Sequence, residues 1–105
     1  MQMKHQYLEG LILSVLYDDE IETYPYKIAA ELGKKFGVSA SAVYNACARL
    51  YKEGFATTSD AQYVVSGRTR KYYQITEKGI RRLQMQRKEY QAERQILDQW
   101  LGGAE

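Results

Sequence analysis

Two short segments of the sequence carry side chains suited to contacting a nucleic acid. The first spans residues 39–45 and supplies Ser39, Ala40, Ser41, Tyr44 and Asn45. Hydroxyls can bind phosphates or base edges, an asparagine amide matches the edge of adenine, and small residues let a backbone approach closely. The second segment is basic and supplies Arg68, Arg70 and Lys71 for phosphate or minor-groove contact.

Each of these features also has a plainer structural interpretation. The two serines could simply cap a helix, and the basic run could be a solvated turn. Tyr44, like Tyr26 upstream, could donate its hydroxyl to a phosphate or be a half-buried structural residue. A contact with DNA is the preferred interpretation of the set, while Tyr26 by itself stays undecided.

A catalytic or metal-dependent function is not indicated. The sequence has one histidine, His5, and one cysteine, Cys47, and it lacks metal-ligand spacing, a phosphate-binding glycine loop and a paired-carboxylate signature. We therefore predict a protein that is not an enzyme and needs no cofactor. Cys47 shares helical spacing with Val43 and Leu50, which favours a buried thiol over a redox sensor. With no disulfide, signal peptide or apolar span long enough for a membrane, the expected location is the cytoplasm.

Three helices are predicted to position the first segment. Apolar residues at helical spacing predict a first helix that ends near residues 17–20, after the run from Leu8 to Leu16. Thr23 is predicted to cap a second helix with Pro25 in its first turn, and Gly37 to end it. Ser39 then caps a third helix that ends at Gly54. Two helices joined by so short a turn are typical of the helix-turn-helix.

A hairpin and a long helix follow. The runs 55–58 and 72–75 favour strands that flank a basic tip at residues 66–68. Tyr72 and Tyr73 must point to opposite faces, one into the core and one outward. Thr76 is predicted to cap a final helix through about Leu101, with Gly102-Gly103 ending it. The fold class is mainly α with a small β-hairpin wing: a DNA-binding unit over residues 1–76 and a C-terminal helix over 77–105, together one compact body.

Charge and length fit this outline. A chain of 105 residues makes one domain with a small core, and its net charge of +2 by itself indicates no partner. Cations outnumber anions between residues 68 and 94, whereas residues 18–22 contain an acidic cluster. Such an asymmetry favours one basic face.

With these motifs in view, the sequence resembles the PadR family of bacterial winged helix-turn-helix regulators. Residues 67–79, GRTRKYYQITEKG, are similar to that family's G-R-x-R-K-Y-Y-x-L-T-x-x-G wing. Tyr44 with Arg49-Leu50 and Glu53-Gly54 resembles its recognition helix, which adds Arg49 to the DNA-binding candidates, and Tyr26-Lys27-Ile28 resembles the start of its second helix. The similarity covers roughly residues 7–101.

The sequence departs from the family pattern beside the reading surface. Pro25 replaces a usual glycine, Ala42-Val43 a Thr-Leu pair, Asn45 a frequent proline, and Tyr51 an acidic residue. The fold is unaffected, but the base preference does not transfer. The resemblance implies a dimer of the shorter subclass, formed through the C-terminal helix, a palindromic operator on double-stranded DNA, and flat hydrophobic or cationic effectors.

The end of the last helix is predicted to contact a partner. Its apolar positions crowd one side, and the interface and effector candidates are Tyr90, Ile96, Leu97, Trp100 and Leu101. Arg87 and Arg94 interrupt the stripe, so we expect a dense contact only at the end. The partner could be the first helix or a second copy, and Trp100 could fill that contact or line an effector cavity.

The sequence thus predicts a homodimeric, cytoplasmic, sequence-specific DNA-binding regulator, more specifically a repressor that responds to a planar hydrophobic small molecule. A non-catalytic RNA-binding or protein-interaction module that uses the same basic face is the alternative.

Overall fold

The protein is mainly helical, with a small β wing between the third and fourth helices. A computed structural model describes residues 3–18, 23–59, 63–65 and 67–102, with residues 63–65 and 70 described by their backbone alone. The elements in chain order are α1 (His5–Asp18), α2 (Pro25–Phe36), α3 (Ala40–Lys52), β1 (Ala56–Thr58), β2 (Tyr63–Val65), β3 (Arg68–Arg70), β4 (Tyr73–Ile75) and α4 (Glu77–Leu101). The predicted fold class is confirmed.

Most of the predicted helix ends are confirmed by their capping contacts. The Ser39 hydroxyl accepts a hydrogen bond from the Ala42 N–H at 3.2 Å, and the Thr76 hydroxyl accepts one from the Gly79 N–H at 3.0 Å. Gly37 ends α2 with φ 71°, a left-handed conformation that glycine adopts at little cost. Of the predicted terminal pair, Gly102 caps α4, while Gly103 lies outside the described residues.

The prediction that Thr23 caps α2 is wrong. The cap residue is Tyr24, whose side chain makes no capping hydrogen bond, and Pro25 occupies the first helical position as expected. Thr23 is buried, and its hydroxyl instead donates to the Tyr73 carbonyl at 2.7 Å. A buried hydroxyl needs a hydrogen-bond partner, and for Thr23 this partner is a carbonyl of the wing rather than an N–H of the first turn of α2.

Among its described residues the wing contains four short strands, where two were predicted. β1 pairs antiparallel with β4, with Ala56 opposite Ile75. β2 pairs antiparallel with β3, with Val65 opposite Arg68, and Gly67 immediately before β3 has φ 77°. β3 was not predicted because Arg-Thr-Arg shows no apolar alternation, whereas β2, with the strand-forming residues Tyr-Val-Val, was overlooked. Ser66, at the predicted tip, lies outside the described residues.

The hydrophobic core is built around α1. Its buried residues come from every helix and from β1, and they are Leu8, Ile12, Leu13, Leu16, Ile28, Ala29, Leu32, Val43, Ala46, Cys47, Leu50, Ala56 and Leu83. The predicted apolar spacing of α1 and α3 is confirmed. Complete burial of one Leu or Ile side chain stabilises the fold by ~1.5–3 kcal/mol.

The start of α4 belongs to this same core. Gly79 is buried, and a Cβ atom at that position would collide with the Phe55 carbonyl oxygen, so α4 lies directly against the chain entering β1. Further along, α4 runs antiparallel to α1. The Arg87 guanidinium donates to the Ser14 hydroxyl at 3.1 Å, and the Tyr7 hydroxyl donates to the Glu93 carboxylate at 2.8 Å.

Beyond Glu93 the helix continues away from the core, and the molecule measures 54 Å along its longest axis. In the part of the chain that the structure describes, no helix combines the length and apolar character needed to cross a bilayer.

Candidate nucleic-acid interface

The outer face of α3 presents an uninterrupted exposed strip. Its buried side is formed by Val43, Ala46, Cys47 and Leu50, and the opposite side carries Ser41, Asn45, Ala48 and Lys52. The four exposed residues recur at steps of four, three and four, which keeps them in one line along a helix. Sequence reasoning missed Ala48 and Lys52, although helical spacing counted from Ser41 would have found both.

The first turn of α3 is suited to a phosphate. Ser39 caps the helix, and its oxygen lies 3.3 Å from the Ser41 hydroxyl oxygen, so the two hydroxyls form one exposed polar pair. Ala40 is exposed beside them, and no acidic residue lies in the turn. The helix N-terminus carries partial positive charge, which favours an anion there. Capping by Ser39 is therefore confirmed, and contact of this turn with DNA stays a prediction.

The two flanks of α3 face different neighbours. Tyr51 approaches Tyr73 of β4 with a centroid distance of 6.3 Å, and Tyr44, two turns earlier, lies on the same flank. On the other flank the Arg49 Nε atom lies 3.1 Å from a carboxylate oxygen of Glu9 on α1. Arg49, a predicted DNA contact, thus holds α3 against α1, and Glu9 already neutralises much of the Arg49 charge.

The wing carries the predicted basic residues outward. Arg68 at the start of β3 and Lys71 after its end are exposed, and the backbone of Arg70 lies between them in β3. The side chain of Arg70 is not described. At the head of α2, Tyr26 is 56% exposed. The predicted candidates are therefore distributed over three surfaces, namely the first turn of α2, the outer face of α3 and the wing.

The wing is fastened to the segment before α2. The Tyr73 N–H donates to the Thr23 carbonyl at 2.9 Å, while the Thr23 hydroxyl donates back to the Tyr73 carbonyl. Next to this pair, the rings of Tyr24 and Tyr72 stack with centroids 5.6 Å apart. Sequence reasoning missed Thr23 and Tyr24 in this role, because the contacts join residues about fifty positions apart.

The undecided tyrosine pair is resolved by the same contacts. Tyr73 packs against the hydrophobic core, and burial, assisted by the nearby Cys47 and Tyr51, raises the pKa of its hydroxyl. Tyr72 points the other way and stacks on Tyr24. Cys47 is itself fully buried, and burial raises the pKa of its thiol to about 12. The interpretation of Cys47 as a core thiol is confirmed.

A second set of contacts joins α3, the wing and α4. The Lys78 ammonium donates to the Glu53 carbonyl at 2.7 Å and lies 4.9 Å from the centre of the Phe55 ring. The Thr76 hydroxyl donates to the Gly54 carbonyl at 2.7 Å. A change in the orientation of α4 must therefore move the C-terminal end of α3 or break these hydrogen bonds.

Four of the five predicted interface residues lie on the part of α4 beyond Glu93, whereas Tyr90 lies beside α1. All five are exposed in the single chain, with Trp100 at 81% and Leu101 at 80%. Helix α1 reaches only as far as Tyr90, where the Tyr7 ring meets it edge-on at 6.4 Å, and Glu93. Packing of Trp100 against the first helix of the same chain is therefore wrong. Contact with another copy stays a prediction.

A groove of about 550 Å³ runs between α1 and α4. It combines aromatic, polar and cationic side chains, including Tyr7, Ser14, Arg87, Tyr90 and Arg94. The hydrogen bond that Tyr7 donates to Glu93 raises the pKa of the Tyr7 hydroxyl, so that hydroxyl keeps its proton and its donor role. The groove is large enough for a planar organic molecule.

Comparison with known proteins agrees with this geometry. Residues 12–85 match the model of the transcriptional regulator PadR-like family. A PadR-like transcriptional regulator from Bacillus cereus is 29% identical, with 92% of this chain and 93% of that chain covered and a TM-score of 0.75. A PadR family regulator from Clostridium difficile is 25% identical over 90% and 98% of the two chains, with a TM-score of 0.75. Among curated protein sequences none matches significantly.

The fold is also shared with Bacillus subtilis PadR, whose structure was determined in complex with operator DNA. That chain is 24% identical, the overlap covers 74% of this chain and 45% of that one, and the TM-score is 0.61.

Proposed function

The chain belongs to the PadR-like family of transcriptional regulators, and from this premise we propose that it is a dimeric, sequence-specific DNA-binding repressor. The observation that carries the proposal is the exposed polar strip of α3, formed by Ser41, Asn45, Ala48 and Lys52, flanked by the basic wing. That juxtaposition suits one element for base edges and another for phosphates. The fold that carries α3 and the wing is shared with Bacillus subtilis PadR, whose structure was determined in complex with operator DNA, and this supports the proposal.

In the proposed complex α3 lies in the major groove with its first turns against the bases. Asn45 pairs with a base edge, the hydroxyls of Ser39 and Ser41 bind the neighbouring phosphate or base, and Ala40 lets the helix come close. Arg68, Arg70 and Lys71 reach the flanking backbone or minor groove. Tyr26 and Tyr44 donate their hydroxyls to phosphates, and Arg49 holds α3 at the correct angle through Glu9.

The second copy completes the reading surface. The end of α4 exposes four large apolar side chains, and an exposed apolar patch of this kind marks an interaction site. Burial of this patch against the same helix of a second copy would explain its composition. We expect residues 77–105 to act as the dimerisation segment of a compact body whose DNA-binding unit is residues 1–76. Two copies related by a two-fold axis read a palindrome with half-sites about 34–36 Å apart. Such a regulator acts in the cytoplasm, where the operator is.

An effector would act through the groove between α1 and α4. Tyrosine rings and arginine side chains on its walls offer stacking and cation–π contacts to a planar aromatic or cationic compound. Trp100, the only tryptophan, reports on such binding if dimerisation brings it to the groove. A screen of planar compounds should then quench its fluorescence at about micromolar concentration. A screen without quenching, together with a Trp100→Ala variant that loses stability and dimerisation, removes the effector from the proposal and leaves the DNA function intact.

The decisive experiment compares three nucleic acids at one salt concentration. Fluorescence anisotropy is measured with a labelled duplex from the region upstream of the protein's own gene, with the same bases scrambled, and with a structured RNA. We expect the upstream duplex to bind at least about 10³-fold more tightly than the scrambled one. Preference for the RNA would favour the alternative RNA-binding function. Absence of binding to all three would favour a protein-interaction module.

A further inference from the structure

A second cavity opens between the start of α1 and the reading helix. It has a volume of about 650 Å³, and one wall is formed by the first residues of α1. The other wall is the turn between α2 and α3 with the exposed start of α3. Its lining residues that matter here are His5, Ser39, Ser41, Asn45 and Arg49. Two of the predicted base-reading residues therefore face this cavity as well as the groove of the DNA.

The described residues around the cavity present no unpaired carboxylate that would repel an anion. None of the described residues that line it is acidic. The nearest carboxylate on α1, Glu9, is paired with Arg49 at 3.1 Å, so the two cancel. His5 begins α1, whose first turn contains no acidic residue, whereas the Lys4 ammonium lies 5.8 Å from the centre of the Tyr7 ring, which lines the groove between α1 and α4. His5 is exposed and is the only histidine in the chain.

The cavity lies on the flank of α3 opposite the wing. Tyr51 marks the wing flank through its contact with Tyr73, whereas Arg49 marks the α1 flank through its contact with Glu9. A helix in the major groove lies between two sugar–phosphate backbones. If the wing meets one backbone, the mouth of this cavity meets the other.

We propose that the start of α1 is a second DNA-backbone contact, in which His5 binds a phosphate at the groove edge opposite the wing and makes the affinity depend on pH. This proposal rests on the proposed DNA function and adds a contact to it. Histidine is the side chain whose charge ordinarily changes between about pH 5 and 8. The charged groups near it are Arg49, which lines the same cavity, and Glu9, which is paired with Arg49, and the phosphate is the anion that a protonated imidazole would gain.

The test uses a generic duplex of about three helical turns, because a phosphate contact does not depend on base sequence. Binding of the full-length protein is measured at about pH 6 and about pH 8 over a series of salt concentrations. We expect the parent to bind about 3- to 10-fold more tightly at the lower pH. His5→Ala should lose that gain and reduce the log–log salt slope at the lower pH by about 1.

Two further variants make the result specific. His5→Lys keeps a positive charge at both pH values, so it should bind tightly at both. Lys88→Ala removes an exposed charge from α4 and should leave the ratio between the two pH values unchanged. A His5→Ala protein with the parent's pH ratio and salt slope would overturn the proposal. If the parent bound no DNA under any condition, the DNA function itself would fail, which is a different outcome.

Discussion

The core-packed part of the protein and the free end of α4 have similar apolar content but opposite surroundings. Ile12 and Leu50 in the core are completely buried, whereas Trp100 and Leu101 are about four-fifths exposed. Both sets recur at helical spacing in the sequence. The difference teaches that spacing predicts an apolar face without naming what covers it. The core residues are covered by other parts of the same chain. We propose that the exposed end of α4, its tail, is covered by a second copy of the protein.

The largest expected effect comes from removing a core side chain. Leu50→Ala should lower the free energy of unfolding by ~2–5 kcal/mol, because the side chain is fully buried and leaves a cavity. Trp100→Ala is the matched variant at the tail of α4, and in a dilute monomer it should lower the free energy of unfolding by less than about 0.5 kcal/mol. Urea unfolding at low protein concentration measures both. Equal losses would show that the tail is covered by its own chain after all.

The second prediction concerns assembly. Replacing Leu97 and Trp100 together by serine should convert the dimer to monomers, since truncating a hot-spot residue, often a tryptophan, typically costs ~2 kcal/mol or more of binding energy. Sedimentation velocity measures the change, with Gln95→Ser as a control on the same helix. Truncation after Lys88 should likewise give monomers or insoluble protein. A soluble, dimeric truncation that still binds operator would refute the α4 interface.

The third prediction compares the reading helix with the wing. Asn45→Ala should cost ~1–3 kcal/mol at one base position and little elsewhere, because it removes a base contact. Arg68→Ala should weaken binding to every sequence alike and lower the salt slope by about 1. Selection from randomised DNA separates the two.

Lys52 and Ser41 extend this test along α3. If Lys52→Ala changes only the salt slope, Lys52 contacts a phosphate, and the base contacts of α3 end before its last turn. An unchanged base preference in both Asn45→Ala and Ser41→Ala would transfer the reading to Tyr44 and the helix backbone.

The smallest expected effect is the chemical reactivity of the Cys47 thiol in the folded protein. Because burial raises the pKa of its thiol to about 12, the group stays protonated in the folded protein at about pH 8 and should react with iodoacetamide only after unfolding. The unfolded thiol ionises first, so this group adds no pH dependence below about pH 8 and lowers stability as the pH rises further. Alkylation followed by mass spectrometry gives the rate. Rapid labelling of the native protein would mean that the core opens around α3.

Much of the fold follows from local signals in the sequence. The apolar spacing of α1 and α3, the caps Ser39 and Thr76, and the terminator Gly37 all act within a few residues, so they could be recognised without a structure. Thr23 was misassigned because its hydroxyl had a local role, as a cap, and a distant one at Tyr73, and burial favoured the distant one. Of the inner strands of the wing, β3 escaped detection because it is charged and depends on its pairing with β2, while the Tyr-Val-Val run of β2 is a local strand signal that was missed.

By itself the sequence determined the order of helices, the basic wing and the segment that begins the reading helix, since propensity, capping and charge are properties of neighbouring residues. Only the tertiary structure decided that Arg49 is held by Glu9, that Tyr73 faces the core while Tyr72 stacks on Tyr24, and that His5 and Asn45 line the same cavity. These relations join residues that are far apart in the chain. They depend on how α1 packs against α3 and α4, and such packing has no periodic trace in the sequence.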